Sequence, residues 1–412
     1  MDLRTILAWS GLLVMVFGGR LMTTDVAAQY QVAESVYGVR DLFTSNDGWH
    51  VSGVRSDNYV PHAPGYSIIL LPSAGIGVLL GLAAGKVAAA LTSAFASVLL
   101  VLAVKKLAEG FMGRIDLVRF LLVMTGTMAL MYGRMPYDVT SAAALALWGA
   151  WLMQTDRAFI AGILLGAALL VRPDSIVLLP MYWTEKRNLE KLALAAAGAF
   201  PFVLGILGYN FYRFGAILSD GHAQDPAIAV DMFSRGIPGL LFSPGKGLFW
   251  YAPLTILAIF HCGDWRFWSP FAFSLVLHGF FHDWTGGTGW GPRFLFMVLP
   301  VLFMPLMRPG TGGKIFKILA VTSLLITLAA GITDSNALEQ RLGADDIDSQ
   351  SRQTVVWSPG GSPLLHTLLH PDITHPDLLG YHVAGIPGAA LQFLAGAALL
   401  LYALRGKRWK RA

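Results

Sequence analysis

The sequence predicts an all-α membrane protein that crosses the bilayer many times, and two observations carry that prediction. Hydrophobic residues make up 55% of the 412 positions and charged residues only 13%, with a mean hydropathy of +0.58. A soluble domain carries about 25% charge. Apolar stretches also recur along the whole chain, at 5–22, 66–84, 86–104, 115–132, 139–154, 158–171, 175–183, 192–212, 246–262, 267–282, 294–307, 315–332 and 387–404. This gives a polytopic helix bundle of roughly 11–13 hydrophobic segments with outer-face loops, at ~20 residues for a straight span. Several stretches are shorter than that, which predicts broken or re-entrant helices packed inside protein.

The first stretch, 5–22, reads as a retained span. Many more spans follow it, and no small-x-small cleavage site precedes the polar loop. Basic residues then assign the sides. The tail 405–411, the loop 105–114 (Lys105, Lys106, Arg114) and the loop 185–191 (Lys186, Arg187, Lys191) mark the cytoplasmic face. The net charge of +5 is therefore a topology signal, not a nucleic-acid one.

With the first span starting inside, 23–65 forms the first outer loop. Its opening, 26–37, reads as an amphipathic helix along the membrane surface, with Val26, Tyr30, Val32, Ala33, Val36 and Tyr37 apolar and Gln29, Gln31 and Glu34 between them. Counting back from the tail puts 137–138, 172–174, 213–245, 283–293 and 333–386 on the same outer face. One conflict arises. Three apolar stretches, 66–84, 86–104 and 115–132, separate Asp25 from Asp138, where an even number of crossings is required. The Gly-rich region 74–85 is the candidate for a turn that does not cross. The outer segment 333–386 is too long for a connector and predicts a lid or small cap. Three parts follow: 1–332 as a transmembrane bundle bearing the site, 333–386 as the outer loop or cap, and 387–412 as the last span with its basic tail. A single cysteine, Cys262, excludes an internal disulfide and a multi-Cys metal site.

Chemistry-bearing residues collect on the outer segments. Asp25 follows the first span and is either a helix cap or a general base or metal ligand. In Arg172-Pro173-Asp174 the proline breaks a helix. Arg172 there either grips a phosphate oxygen or forms an internal salt bridge with Asp174. In LLFSPGKGLFWYAPL (240–254), Lys246 lies in a Gly-flanked turn suited to an anion, although the nucleotide P-loop pattern is absent. In HDWTGGTGWGPRFL (282–295), Trp284 and Trp290 are either interfacial anchors or sugar-stacking faces, and Arg293 can pair with a phosphate. The segment 209–225 adds Arg213, Asp220, His222 and Asp225; Asp25, Asp220 and His222 match a metal by ligand type but not by spacing. His366 and His370 align four residues apart, with His375 beyond, but lack the Glu of HExxH, and a structural or solvent role is the plainer reading.

Several of these segments together resemble the polytopic GT-C glycosyltransferases. The carriers are TTD (23–25), PHAPGYSIILLP (61–72), AGILLGAALLVRPDSIVLLP (161–180), YNFYRFG (209–215), LLFSPGKGLFWYAPL (240–254) and GGTGWGPRFLFMVLP (286–300), in that order. The similarity is greatest to the bacterial branch that uses polyprenyl-phosphate-linked sugars, related to the protein mannosyltransferases and the lipid A aminoarabinose transferases. It runs from the first span to about residue 307.

The resemblance implies a GT-C-like bundle in a bacterial plasma (inner) membrane with an extracytoplasmic active site. It implies inverting transfer of one hexose or pentose from a polyprenyl-phosphate donor to a glycan, lipid or protein acceptor. Asp25 falls where the family carries its first-loop catalytic acid, and Asp138, the second expected catalytic residue, near where a second outer acid is often found; Arg172, Lys246, Trp284, Trp290, Arg293, His62 and His222 are the expected substrate-binding residues. The family's first acid is often paired with a second, whereas Asp25 precedes Val26, which leaves a divalent metal open as a cofactor. The alternative is a transporter or flippase of a lipid-linked sugar or small anion, for which two inverted halves are expected.

Overall fold

The computed structural model describes residues 2–19, 23–45, 52–54, 56, 58–184, 188–219, 230–342, 352, 355–371 and 373–405. Among these the regular structure is helical, apart from one isolated bridge between Thr44 and Tyr59. Helix α1 (Leu3–Val16) starts at Asp2, whose carboxylate accepts from the Thr5 N–H at 3.3 Å. Helix α2 (Thr24–Ser35) starts at Thr23, whose hydroxyl accepts from the Val26 N–H at 3.4 Å. The cap is thus Thr23, and Asp25 sits in the first turn where the helix dipole favours a negative charge. Along α2, Val26, Ala28, Gln29, Tyr30, Val32 and Ala33 are buried, Asp25, Gln31 and Glu34 are half-buried, and Val36 and Tyr37 beyond its end are exposed.

Helices α3 (Gly65–Leu80) and α4 (Leu82–Met112) meet at Gly81, whose φ of +98° is a conformation that suits glycine. Next come α5 (Leu117–Thr125), α6 (Ala129–Gly133), α7 (Asp138–Gln154) and α8 (Ala158–Val171). Pro173 stops α8 at Arg172 and opens a 3-10 stretch, Pro173–Tyr182, before α9 (Asn188–Phe214). The short apolar stretches are broken as their lengths predict. They form α10 (Phe233–Phe242), α11 (Leu248–Tyr251), α12 (Leu254–His261), α13 (Trp265–Gly279), α14 (Arg293–Phe296) and α15 (Leu299–Leu302). The chain ends in α16 (Gly313–Gly331), α17 (Ser335–Arg341), α18 (Pro363–Leu369) and α19 (Leu379–Arg405), the last kinked at Ala384–Gly385. Four of these helices, α4, α9, α16 and α19, are long and apolar enough to cross a membrane. On α19, Val383, Ile386, Leu391 and Leu394 are exposed, as suits a helix whose apolar partner is lipid.

The chain divides into two compact units, Leu21–Leu100 with Met135–Ala227, and Met1–Arg20 with Val101–Arg134 and Ile228–Ala412. In the first of these, the inserted unit, α3 doubles back on α4. A Cβ on Gly85 would lie 2.7 Å from the Gly77 Cα, and the Tyr30 hydroxyl fills the space between the two glycines. That hydroxyl donates to the Ser73 carbonyl at 3.3 Å, which ties α2 to α3.

In the other, flanking unit, contacts sort the helix ends into two groups. At one end Asp2 pairs with Lys105 of α4, and Arg119 of α5 donates to the Leu306 and Thr311 carbonyls. Arg266, at the start of α13, stacks 4.8 Å over Phe111 of α4 at that same end. Helix α19 runs antiparallel to α1, with Gly11 and Gly396 in backbone contact, which brings Arg405 to this end too. At the opposite end Arg134 is fully buried and donates to the carbonyls of Val16, Ala330, Thr333 and Asp377, and to the Asp377 carboxylate at 2.9 Å.

Asp2 beside Lys105 places the end of α4 with the start of α1, as the basic-loop rule requires. Helix α3 turns back onto α4 at Gly81, within the Gly-rich region 74–85.

Candidate active site

Among the described residues, each unit holds a cluster of charged groups that includes sequence-predicted residues. In the inserted unit Asp138 opens α7 and Arg172 closes α8. The Arg172 guanidinium reaches both Asp138 oxygens at 3.1 and 3.2 Å and both Asp174 oxygens at 3.0 and 2.7 Å. Both open readings of Arg172 touch this geometry. The internal salt bridge to Asp174 is present, and the same side chain is bridged to Asp138 across the helix ends. Position is fixed from behind by Ser93 of α4, whose hydroxyl accepts from the Tyr137 N–H at 3.0 Å. The cluster is only partly covered, with side-chain exposures of 14–16%.

Asp25 and His62 belong to the same unit, both half-buried, Asp25 in the first turn of α2 and His62 in the turn ahead of α3. Arg213, singled out as an outer cation, is instead a buried strut. It donates to the Val60 carbonyl and to Asn210 Oδ1 at 3.0 Å, and it stacks 3.9 Å over the Tyr209 ring. His222, with Asp220 and Asp225, lies outside the described residues.

In the flanking unit Lys246 occupies the break between α10 and α11. The turn forms because Ser243 accepts from the Lys246 N–H at 3.2 Å, and because Gly247 lets the backbone double back on Ser243. Lys246 Nζ donates to the Gly289 carbonyl at 2.6 Å and meets both Glu339 oxygens at 3.0 Å, each side chain about 2% exposed. Glu339 also accepts from the Gly289 N–H at 3.3 Å. Burial pushes the Lys246 ammonium down and the Glu339 carboxyl up, against their mutual attraction. Arg293 and Asp283 are close enough to act on Lys246, and Arg352 on Glu339. Arg352 also donates to Asp283 at 2.7 Å.

This cluster lies at the same end of the flanking unit as Arg134, since α17 follows directly on α16 beyond Thr333. Sequence reasoning missed Glu339. Its partner is 93 residues away, and no local pattern marks it. Trp284 and Trp290 are placed beside the cluster but are core side chains, 0% and 2% exposed. Trp284 packs on Gly239, and Trp290 packs edge-on to Tyr251 while its carbonyl accepts from the Tyr132 hydroxyl at 2.6 Å. Among the described residues no three of His, Cys, Asp and Glu converge as a metal ion requires.

No protein-family model and no curated protein matches the chain. Solved structures do. The chain is similar to ArnT from Cupriavidus metallidurans bound to undecaprenyl phosphate, with a TM-score of 0.52 at 13% identity, over 98% of this chain and 76% of that one. The apo structure of the same protein gives a TM-score of 0.51 at 13% identity, over 98% and 75%. The chain therefore shares the fold of these ArnT structures.

Proposed function

We propose that this protein is an integral-membrane glycosyltransferase that moves one sugar from a polyprenyl-phosphate donor to an acceptor on the extracytoplasmic face, with inversion. The observation that carries the reading is the likeness, over 98% of the chain, to a protein whose structure holds undecaprenyl phosphate. Fold alone does not fix chemistry, so the site must supply it. The side follows from charge. Lys246 and its partners sit at the end of the flanking unit opposite Lys105, Arg119, Arg266 and Arg405, which is the outer end by the basic-loop rule.

The reaction is a single displacement. The acceptor oxygen attacks the anomeric carbon, the bond from that carbon to the phosphate oxygen breaks, and polyprenyl phosphate leaves. Asp25 takes the acceptor proton. Lys246 and Arg293 offset the charge that builds on the leaving phosphate. For Lys246 this means sharing its ammonium between Glu339 and the incoming oxyanion, because its present bonds are all to protein. Asp138 holds Arg172 in place as an anion-binding side chain. The described part of 333–386 contributes Glu339 and acts as the cap over the cluster.

The test is transfer by the purified full-length protein. Asp25→Asn should lower the rate by about 10²–10⁴-fold, the share a general base supplies, with unfolding unchanged. The wild-type product should carry the anomeric configuration opposite to the donor's. Full activity in Asp25→Asn, or retention of configuration, would end the assignment.

A further inference from the structure

A polar cavity lies in the flanking unit, apart from the Lys246 cluster. It encloses about 320 Å³ between the end of α16, α17, α18 and the loop after α18. Its described polar lining is Thr333, Asp334 and Arg341 at the two ends of α17, His366 and Thr367 on α18, and His370 and His375 beyond it. The His366 and His370 rings stand 5.3 Å apart, tilted by 55°. His375 Nδ1 is 3.0 Å from the Thr374 hydroxyl. The Thr367 hydroxyl is buried and has no hydrogen-bond partner. Among the described residues, Asp334 is the one carboxylate of the lining, and one of its oxygens is taken by the Ala337 N–H at 3.0 Å, where it caps α17.

We propose that this cavity binds a phosphate-bearing group. Among the described lining residues, one permanent guanidinium, three imidazoles and an unsatisfied hydroxyl stand against a single carboxylate that caps α17. Donors of this kind in this ratio recognise an oxyanion. The guanidinium fork matches phosphate geometry, and a buried hydroxyl left without a partner costs free energy that a ligand oxygen recovers. A metal cation is the poorer occupant, because Arg341 repels it and no ligand group of three converges among the described residues. The volume lies at the low end of small-molecule pockets, which suits a phosphate with a headgroup or one sugar attached. Helix α17 links the cavity to the cluster described above. Leu338 lines the cavity and the next residue, Glu339, holds Lys246. An occupant of the cavity therefore presses on the helix that carries the Lys246 partner.

The phosphate can come from solution or from a lipid headgroup, and the experiment separates the two. Full-length protein in neutral detergent is titrated with inorganic phosphate and with a sugar phosphate. In a second arm the protein, in phosphatidylcholine nanodiscs, competes for phosphate against added phosphatidic acid. Wild type should bind in a saturable way in at least one arm. Arg341→Gln with His366→Gln should weaken that binding by about tenfold or more, the scale of a lost charge-assisted hydrogen bond. Thr367→Val should weaken it a few-fold with the unfolding temperature kept. Competition by phosphatidic acid assigns the site to a membrane lipid; its absence assigns it to a soluble phosphate. Non-saturable binding in both arms, or equal affinity in wild type and the double variant, overturns the proposal. None of these readings requires sugar transfer, so the site and the transferase reading can fail separately.

Discussion

In the inserted unit one guanidinium is shared by two carboxylates, Arg172 between Asp138 and Asp174, and the group keeps 14–16% of its side-chain surface open. In the flanking unit the balance is reversed. Lys246, Arg293 and Arg352 face Glu339 and Asp283, and the central pair is sealed at 2% exposure. The surplus sign decides what each cluster can accept. A carboxylate in excess holds a cation or a proton in place, whereas a cation in excess can receive an anion. A third pair, Arg134 with Asp377, shows the neutral case. Its charges match one to one, its remaining donors go to backbone carbonyls, and it serves as a clamp between helix ends.

The largest effect expected from breaking this comparison is at Glu339. Glu339→Gln leaves the Lys246 ammonium buried without its counter-charge and should cost about 3–5 kcal/mol, read from thermal or chemical unfolding of the purified protein. Lys246→Met combined with Glu339→Leu should recover most of that stability, because an apolar pair of similar volume replaces a buried ion pair at little cost. The double variant should still fail to retain the polyprenyl-phosphate donor. Recovered donor binding would show the pair to be structural only.

Arg172→Gln comes next. It leaves two carboxylates facing each other, partly wetted, and should cost about 2–3 kcal/mol, less than a sealed pair. Transfer should fall with it, and an additional Asp174→Asn should return stability but not activity. The smallest effect is expected at Ser93→Ala. The Tyr137 N–H loses its acceptor, which costs about 1 kcal/mol. Asp138 follows Tyr137 directly, so the transfer rate should drop a few-fold; an unchanged rate would show that Asp138 needs no such support.

The fold class was legible because it follows from local composition. The short stretches 175–183 and 294–307 carried their own warning of broken helices, and Pro173 marked the end of α8 before any contact was known. The turn carrying Lys246 was legible for the same reason, since Ser243, Pro244, Gly245 and Gly247 announce it. The Gly81 reversal was visible only as a parity problem in a Gly-rich region.

What stayed hidden is long-range pairing. Glu339 in a polar segment, Arg134 after an apolar stretch and Asp377 before the last helix have no periodicity that marks them, yet they hold the buried charges. The burial of Gln29 was also illegible. A polar residue at helical spacing predicts a wet face, and only packing shows that Gln29 is covered while Gln31 and Glu34 stay half-buried. The same limit explains Trp284 and Trp290, whose residue type suits a sugar but whose rings serve the core.

The most direct test of the transferase account follows the donor's lipid. The full-length protein is reconstituted in vesicles with a polyprenyl-phosphate sugar labelled in both sugar and lipid, and the two labels are traced. The account predicts that free polyprenyl phosphate accumulates as the sugar label leaves it. A donor that changes leaflet with both labels still joined, and no free polyprenyl phosphate, would contradict it and identify a transporter.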